Sequence, residues 1–424
     1  ANITLIVKNS TIKNFANGKY SDGVYAYKES NNLTLTFENI VLESRTQGLA
    51  VQGLTSNSNV NIVNSKITST EGLGIYYPPK SGTLTITDSE ITGVTGIVVK
   101  GSNLVVNGEK TIISGTGPNV DPDTYYTGAT DDSSSLTETG DALYIESGYN
   151  DRDITVAVQG GSFTSANAQA VRMFIQNGEI TSVKREVKVT GGTFSSDVSA
   201  YCDANYVTVK NADNTYTVKP LKDVAVAKIG DTYYKTLAKA VAAADNATVT
   251  LLKNTAEDIT IPDGKTVTLD LGGNKLTNVS GHTITNNGTL FVTGNGTVDN
   301  IAHGKGALYN NTGATATLNG GTFTRSAEKG TASPDSANGN SWYTVKNYGT
   351  MTINSNVTIT NTGSHSSAVA NGWFDVSKAG SNGEPIYTTN AVLTINGGNI
   401  SGGKITVKND DYGMLTITGG SISQ

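Results

Sequence analysis

Two neighbouring acid pairs, Asp131-Asp132 and Asp410-Asp411, are the residues with which this chain could cleave a glycosidic bond. That chemistry needs two carboxyls roughly 5 to 10 Å apart across a groove, one to protonate the leaving oxygen and one to attack or to activate water. Asp131-Asp132 lies in a Ser/Thr-rich insertion, and the NDDYG segment around Asp410 reads as a turn in which Asp serves the backbone. Proton abstraction from an acidic sugar would instead use calcium-binding acids with an Arg or Lys as base. Arg45, Arg152, Arg172, Arg185 and Arg325 stand in no such pattern, and His282, His303 and His365 lack metal-ligand spacing. Asp121, Asp123, Asp131 and Asp132 share one acidic insertion whose spacing matches no EF-hand. The expectation is a chain that is not an enzyme, with no catalytic residue, no metal and no cofactor.

Binding is better supported than catalysis. Three insertions interrupt the regular pattern, and a regular scaffold commonly presents its binding residues on loops. Gly117 to Asp141 carries Tyr125 and Tyr126, the segment SAEKGTASPDSANGNSWYTV carries Trp342 and Tyr343, and SSAVANGWFDVSKAGSNGEPIY carries Trp373 and Phe374. Aromatic faces among polar neighbours stack on sugar rings or anchor a protein partner, so these six residues are the candidate ligand site. The competing reading is that each covers the core beneath a long loop.

Composition narrows the partners. A net charge of −6 disfavours a phosphate backbone. The densest basic cluster, KREVK at Lys184 to Lys188, alternates charge with apolar side chains as the wet face of a strand does. Nucleic acid is therefore excluded as an expected partner. No apolar run approaches the roughly 18 residues that a membrane helix needs. Cys202 is the only cysteine, so there is no disulfide framework and no cysteine-built zinc site. Glycine reaches 48 residues while Val, Ile and Leu recur throughout, a composition of turns and strands that folds.

The elements that must position any site are written as one repeated unit. VAVQGGSFT (Val156–Thr164), VKVTGGTFS (Val187–Ser195), ATLNGGTFT (Ala316–Thr324), LTINGGNIS (Leu393–Ser401) and LTITGGSIS (Leu415–Ser423) share its outline, at a spacing of about 20 to 26 residues where loops are short. Apolar residues alternate with threonine, so Leu415 and Ile417 face a core while Thr416 and Thr418 face water. The Gly-Gly or Asn-Gly pair supplies a positive φ at the corner. Asn287, Asn310, Asn347 and Asn409 precede such corners, and their amides are expected to bond along a stack. Thr-x-Thr arrays suggest an ice-binding face, but LVV, VAV and LFV segments interrupt it.

One stretch breaks the strand period. DTYYKTLAKAVAAADN (Asp231–Asn246) places Leu237, Ala240, Val241 and Ala244 on one helical face, with Thr236 as N-cap; a short helix near 236–244 should cap an exposed sheet end. The segment AKIGDTYYKTLAKAVAAADNATVTLLKN with ITIPDGKTVTLDLGGNKLT resembles the opening of pectin-lyase-like right-handed parallel β-helix modules in surface-exposed or secreted adhesin-like proteins of gut Firmicutes, and GGTFSSDVSAYC resembles their closing rung. The likeness runs along essentially the whole chain.

The resemblance implies an all-β solenoid of two consecutive modules, residues 1–220 without an opening cap and 221–424 without a closing rung, with further modules in the parent chain. It also implies a non-catalytic stalk or adhesin on the bacterial cell surface, whose loops meet a host or dietary glycan or a host surface protein. The alternative function is a polysaccharide lyase or glycoside hydrolase working on an extended chain in a groove.

Overall fold

The computed structural model describes residues 2–424 other than 18–20, 28–30, 54, 129–135, 148, 150, 177–181, 303, 327–342, 362–366, 373–389 and 411. The chain is all-β, with its strands in mainly parallel sheets, and it divides into two compact units, Ala1–Pro220 and Leu221–Gln424. Each unit has three sheets, and apart from antiparallel strands added at one end of two of them, each sheet takes every third strand.

Alternation sets which residues meet. In the first sheet of unit 1, Leu35, Val60, Leu84, Leu104 and Val156 lie side by side on successive strands, as do Ile62, Ile86, Val106 and Val158 two residues on. The second sheet aligns Leu42, Ile67, Ile91, Ile113, Phe163 and Phe194, with the last two rings stacked at 5.1 Å. These side chains are buried in one apolar cluster, and each buried aliphatic contributes roughly 1.5–3 kcal/mol. Unit 2 repeats the scheme around its own core, with Val249, Leu269, Val292, Leu318, Ile353 and Ile395 in the first sheet. The intervening threonines are only partly buried, as the period of two requires.

The corners use left-handed backbone where glycine or asparagine allows it. The second glycine of each Gly-Gly pair turns the chain: Gly161, Gly192, Gly321, Gly398 and Gly420 have φ of 92, 108, 90, 88 and 102°. In unit 1 the same job falls to Asn39, Asn64 and Asp88, at φ of 54, 47 and 45°.

The third sheet carries the functional argument in both units. In unit 1 it comprises Val24–Ala26, Gln47–Val51, Leu73–Tyr77, Thr95–Val99, Leu143–Ser147 and Val171–Ile175. In unit 2 it comprises Ile259–Ile261, Ile284–Asn286, Leu308–Asn310, Tyr343–Asn347, Ser367–Asn371 and Ile405–Asn409.

Unit 2 opens with the helix that the sequence anticipates, Leu237–Ala243, whose Leu237, Ala240 and Val241 are buried. The Thr236 hydroxyl accepts from Lys239 N at 3.3 Å, and the Glu257 carboxylate accepts from the Leu237 and Ala238 N–H groups, both at 2.9 Å. A hydroxyl and an acid thus satisfy the free N–H groups of the first turn. Unit 1 ends on an antiparallel pair, Tyr206–Lys210 with Tyr216–Pro220, added to its second sheet.

Amide stacking occurs, with a correction to its membership. Asn286 donates to Asn310, Asn310 to Asn347, Asn347 to Asn371 and Asn371 to Asn409, at 2.7, 2.7, 2.8 and 2.8 Å. Asn286, not Asn287, begins the ladder, and Asn371 belongs to it. The period of two decides this, because Asn286 faces the core and Asn287 starts the turn, where it bonds to Asn311 instead.

Candidate functional site

On the outward side of the third sheet in unit 2, register places Thr285, Tyr309, Lys346, Ala370 and Lys408 in a row across successive strands. Strand spacing of roughly 4.8 Å brings Tyr309 and Lys346 into contact range. His282 arrives just before one strand, Tyr343 opens another, and the loop through Gly304, Lys305 and Gly306 closes one side. Together they line a cleft of about 240 Å³. Gly306 is required here: a Cβ would come 2.7 Å from the Tyr343 carbonyl oxygen, closer than any side chain tolerates.

Aromatic faces build the walls. His282 stacks on Tyr309 with ring centres 4.5 Å apart, and Tyr309 meets Tyr348 edge-on at 5.4 Å. Lys346 Nζ sits 4.8, 5.6 and 5.9 Å from the ring centres of Tyr348, Tyr343 and Tyr309. The three π-faces hold its ammonium in place of a counterion. Among the described residues no carboxylate pairs with it; the nearby Asp410 is taken by Lys408 at 2.8 Å. Lys408 also donates to the Tyr343 hydroxyl at 3.4 Å.

These surroundings shift the titrations. Burial pulls Lys346 down to about 8, against the opposing pull of Asp410. Burial, then the charges of Lys305 and Lys346, lowers His282 to about 4. Its Nδ1 accepts from Gly306 N–H at 2.9 Å, which places the ring proton on Nε2. Burial lowers Lys408, but its bond to Asp410 outweighs that and leaves it raised. Burial also raises the Tyr343 phenol. At neutral pH the cleft thus offers the neutral His282 imidazole, the neutral Tyr343 phenol and the Lys346 cation.

The matching face of unit 1 is filled. Register aligns Tyr76, Val98, Tyr144 and Arg172 there, and the described parts of the insertion, 117–128 and 136–141, bond to this face. Lys100 and Glu146 form an ion pair at 2.8 Å with both side chains almost wholly buried. Glu146 Oε2 accepts from the hydroxyls of Tyr126 and Tyr144 at 2.9 and 2.8 Å, while Lys100 Nζ also donates to Leu136 O at 2.9 Å. Arg172 ties the insertion down through the Asp141 carboxylate, the Val120 carbonyl and the Asn119 side chain. Desolvation lowers Lys100 and raises Tyr126 and Tyr144, with Glu146 supporting the lysine charge.

The sequence-derived site residues fall in different places. Tyr343 lines the unit 2 cleft. Tyr126 belongs to the closed network of unit 1, its ring stacked on Phe174 at 5.5 Å, and Tyr125 packs edge-on against it at 5.1 Å. Both tyrosines stand on a short helix, Pro122–Gly128, in a segment that reads as an irregular insertion. Trp342, Trp373 and Phe374 lie outside the described residues, as do Asp131, Asp132, Asp411, His303 and His365. His282, which the sequence marks only as lacking metal-ligand spacing, is a half-buried wall of the cleft. Sequence reading missed Tyr309, Lys346 and Tyr348, whose one signal is that a tyrosine and a lysine occupy outward strand positions where threonine is the rule.

A second concavity, of about 400 Å³, adjoins Lys80, Asp151, Arg152 and Asp153 in unit 1. Its charges are mutually satisfied: Asp151 bonds to Arg152 and Lys80, which depress its carboxyl to about 2. No group of three or more His, Cys, Asp or Glu among the described residues is arranged to hold a metal ion. No described helix is long and apolar enough to cross a membrane. Comparison of the chain with protein-family models, with curated proteins and with solved structures finds no match.

Proposed function

We propose that the chain is a right-handed parallel β-helix of two consecutive modules, and that it serves as a non-catalytic extracellular scaffold which holds a glycan in the unit 2 cleft. Parallel sheets that each take every third strand support the solenoid reading. The stalk or adhesin role and the bacterial cell-surface location rest on the family resemblance of the helix-bearing opening segment. The observation that carries glycan binding is the convergence of the His282–Tyr309 stack with Tyr343 and Lys346 around one small cleft. Pockets for drug-sized ligands occupy roughly 300–1,000 Å³, so this one suits a single sugar ring of a longer chain. Flat aromatic faces stack on the C–H face of a pyranose, while lysine and imidazole N–H groups donate to ring substituents.

A glycan-array and mucin-binding screen with the full chain tests this reading. Binding should appear with the unaltered protein and fall steeply in Tyr309→Ala. Undiminished binding by that variant would remove the cleft from the account.

A polysaccharide-cleaving enzyme is the second reading, and the lysine with a pKa near neutrality beside Tyr343 is what favours it. Incubation with extended polysaccharides should release no oligosaccharide; release that disappears in Lys346→Met would put the enzyme in place of the scaffold.

A further inference from the structure

We propose that the unit 2 cleft selects an acidic sugar, one whose ring carries a carboxylate or a sulfate, and that Lys346 is the group that contacts the negative charge. This rests on the glycan reading and adds the ligand's charge to it.

An ammonium held off water by three tyrosine rings, with no carboxylate bonded to it among the described residues, is a cation whose nearby described countercharge, Asp410, is already bonded to Lys408. Elsewhere in the molecule a buried lysine is treated differently: Lys100 has Glu146 at 2.8 Å. Cation–π contact stabilises Lys346 but leaves its donors unspent, since a π-face accepts charge without satisfying three N–H bonds. Lys305 lines the same cleft, so two lysines with no ion pair among the described residues face the ligand on a chain whose net charge is −6. A neutral sugar would leave this local excess uncompensated, whereas a carboxylate or sulfate reaching Lys346 forms a charge-assisted bond in a partly desolvated site. The stacked His282 and Tyr309 supply the flat surface beside that charge on which the ring rests.

Binding then depends on the protonation of Lys346. The titratable and charged groups around it are Tyr343 and Tyr348 on its own segment, Tyr309 and His282 from the neighbouring turn and strand, Lys305 from the loop, and Lys408 with Asp410 from the far side; Arg325 acts on His282. Burial raises the Tyr343 phenol and His282 is neutral above about 4, so the titration centred near 8 belongs to Lys346. An anion bound to it raises that midpoint further.

Isothermal titration of the full chain with three probes decides the matter: a trimer of hexuronic acid, a 6-sulfated galactose trimer and an uncharged galactose trimer. At least one acidic probe should bind about tenfold or more tightly than the neutral one, and the comparison of the two acidic arms identifies which anion is preferred. Lys346→Met should abolish that preference by bringing acidic-probe affinity down to the neutral-probe level or below, and Tyr309→Ala should weaken every probe. A series on the unaltered protein from pH 6 to pH 10, independent of whether any variant folds, should show acidic-probe affinity falling above about 8. Equal affinity for neutral and acidic probes, or an acidic-probe affinity flat across that series, overturns the acidic-sugar proposal while glycan binding stands. Failure of all three probes, with glycan-array binding also absent, overturns glycan binding itself.

Discussion

The third sheet exists twice in this chain, and its two copies solve the same structural problem in opposite ways. Facing the core, the second inward position of each strand is apolar in unit 1, where Val51, Tyr77, Val99 and Ile145 are buried on successive strands. In unit 2 the corresponding position is an unbroken run of amides, Asn286 through Asn409. Facing outward, unit 1 carries a closed network in which Lys100, Glu146, Tyr126 and Tyr144 satisfy one another under a covering insertion. Unit 2 carries an aromatic cleft with an excess of lysine. The difference teaches that the parallel backbone is indifferent to what is stacked upon it, provided that each polar group finds its partner one strand away. Identity at these positions is therefore free to encode function.

Breaking the closed face should have the largest effect. Lys100→Met leaves the Glu146 carboxylate buried with its ammonium partner gone, and loss of one member of such a pair costs about 3–5 kcal/mol in a denaturant titration. The double variant Lys100→Met/Glu146→Leu should recover much of that loss, because no uncompensated charge remains. In unit 2, Lys346→Met should change the melting point little, since no buried carboxylate is orphaned. A loss in unit 2 as large as that in unit 1 would show that the two faces are not different in kind.

The inward contrast is next in size. Asn310→Ala removes the acceptor of one Asn286 amide hydrogen and one of two donors to Asn347 Oδ1, while the bonds to Thr315 O and from Gly349 N–H remain, and should cost about 1–3 kcal/mol. Val99→Asn places one amide in the apolar stack of unit 1, where neither Tyr77 nor Ile145 supplies an amide partner, and should cost a similar amount for the opposite reason. Thermal melts that find Val99→Asn neutral would mean that the apolar and amide positions are interchangeable.

How far all this was legible in the sequence follows from distance along the chain. The alternation of ATLNGGTFT, the positive φ of Gly161 or Gly321 and the Thr236 cap all arise within a few residues, so spacing alone reveals them, whereas in LTITGGSIS, on the last strand of its sheet, Ile417 is 49% exposed instead of facing the core. The amide ladder was legible in kind, but assigning Asn287 in place of Asn286 reflects an ambiguity of one residue that only cross-strand register resolves. Asn371 escaped because the repeat lapses into an insertion directly after it. The cleft was not legible: His282, Lys305, Tyr309 and Lys346 come from separate strands and turns, and loops of unequal length between them conceal their alignment. Lys100 and Glu146 were hidden for the same reason, being 46 residues apart.

The smallest effect is one of pH. His282 is held near 4 in the folded protein against an ordinary 6.5, so the unfolded chain takes up its proton first as pH falls. Its stabilising contribution is complete above about 6.5 and is lost between there and about 4, roughly 1–2 kcal/mol after allowance for partial exposure. Urea midpoints at pH 7 and pH 4.5 should therefore differ less in His282→Phe than in the parent, with no counterpart at the histidine-free face of unit 1.

The claim on which these contrasts converge is that one third sheet is a binding face and the other is sealed. Hydrogen–deuterium exchange of the full chain, with and without the tightest-binding oligosaccharide, tests it most directly. Protection should rise in peptides spanning Gly304–Asn310 and Tyr343–Tyr348 and stay unchanged in those spanning Thr95–Lys100 and Leu143–Ser147. Protection gained at the unit 1 strands, or none gained at the unit 2 strands by a ligand that binds, would contradict the account.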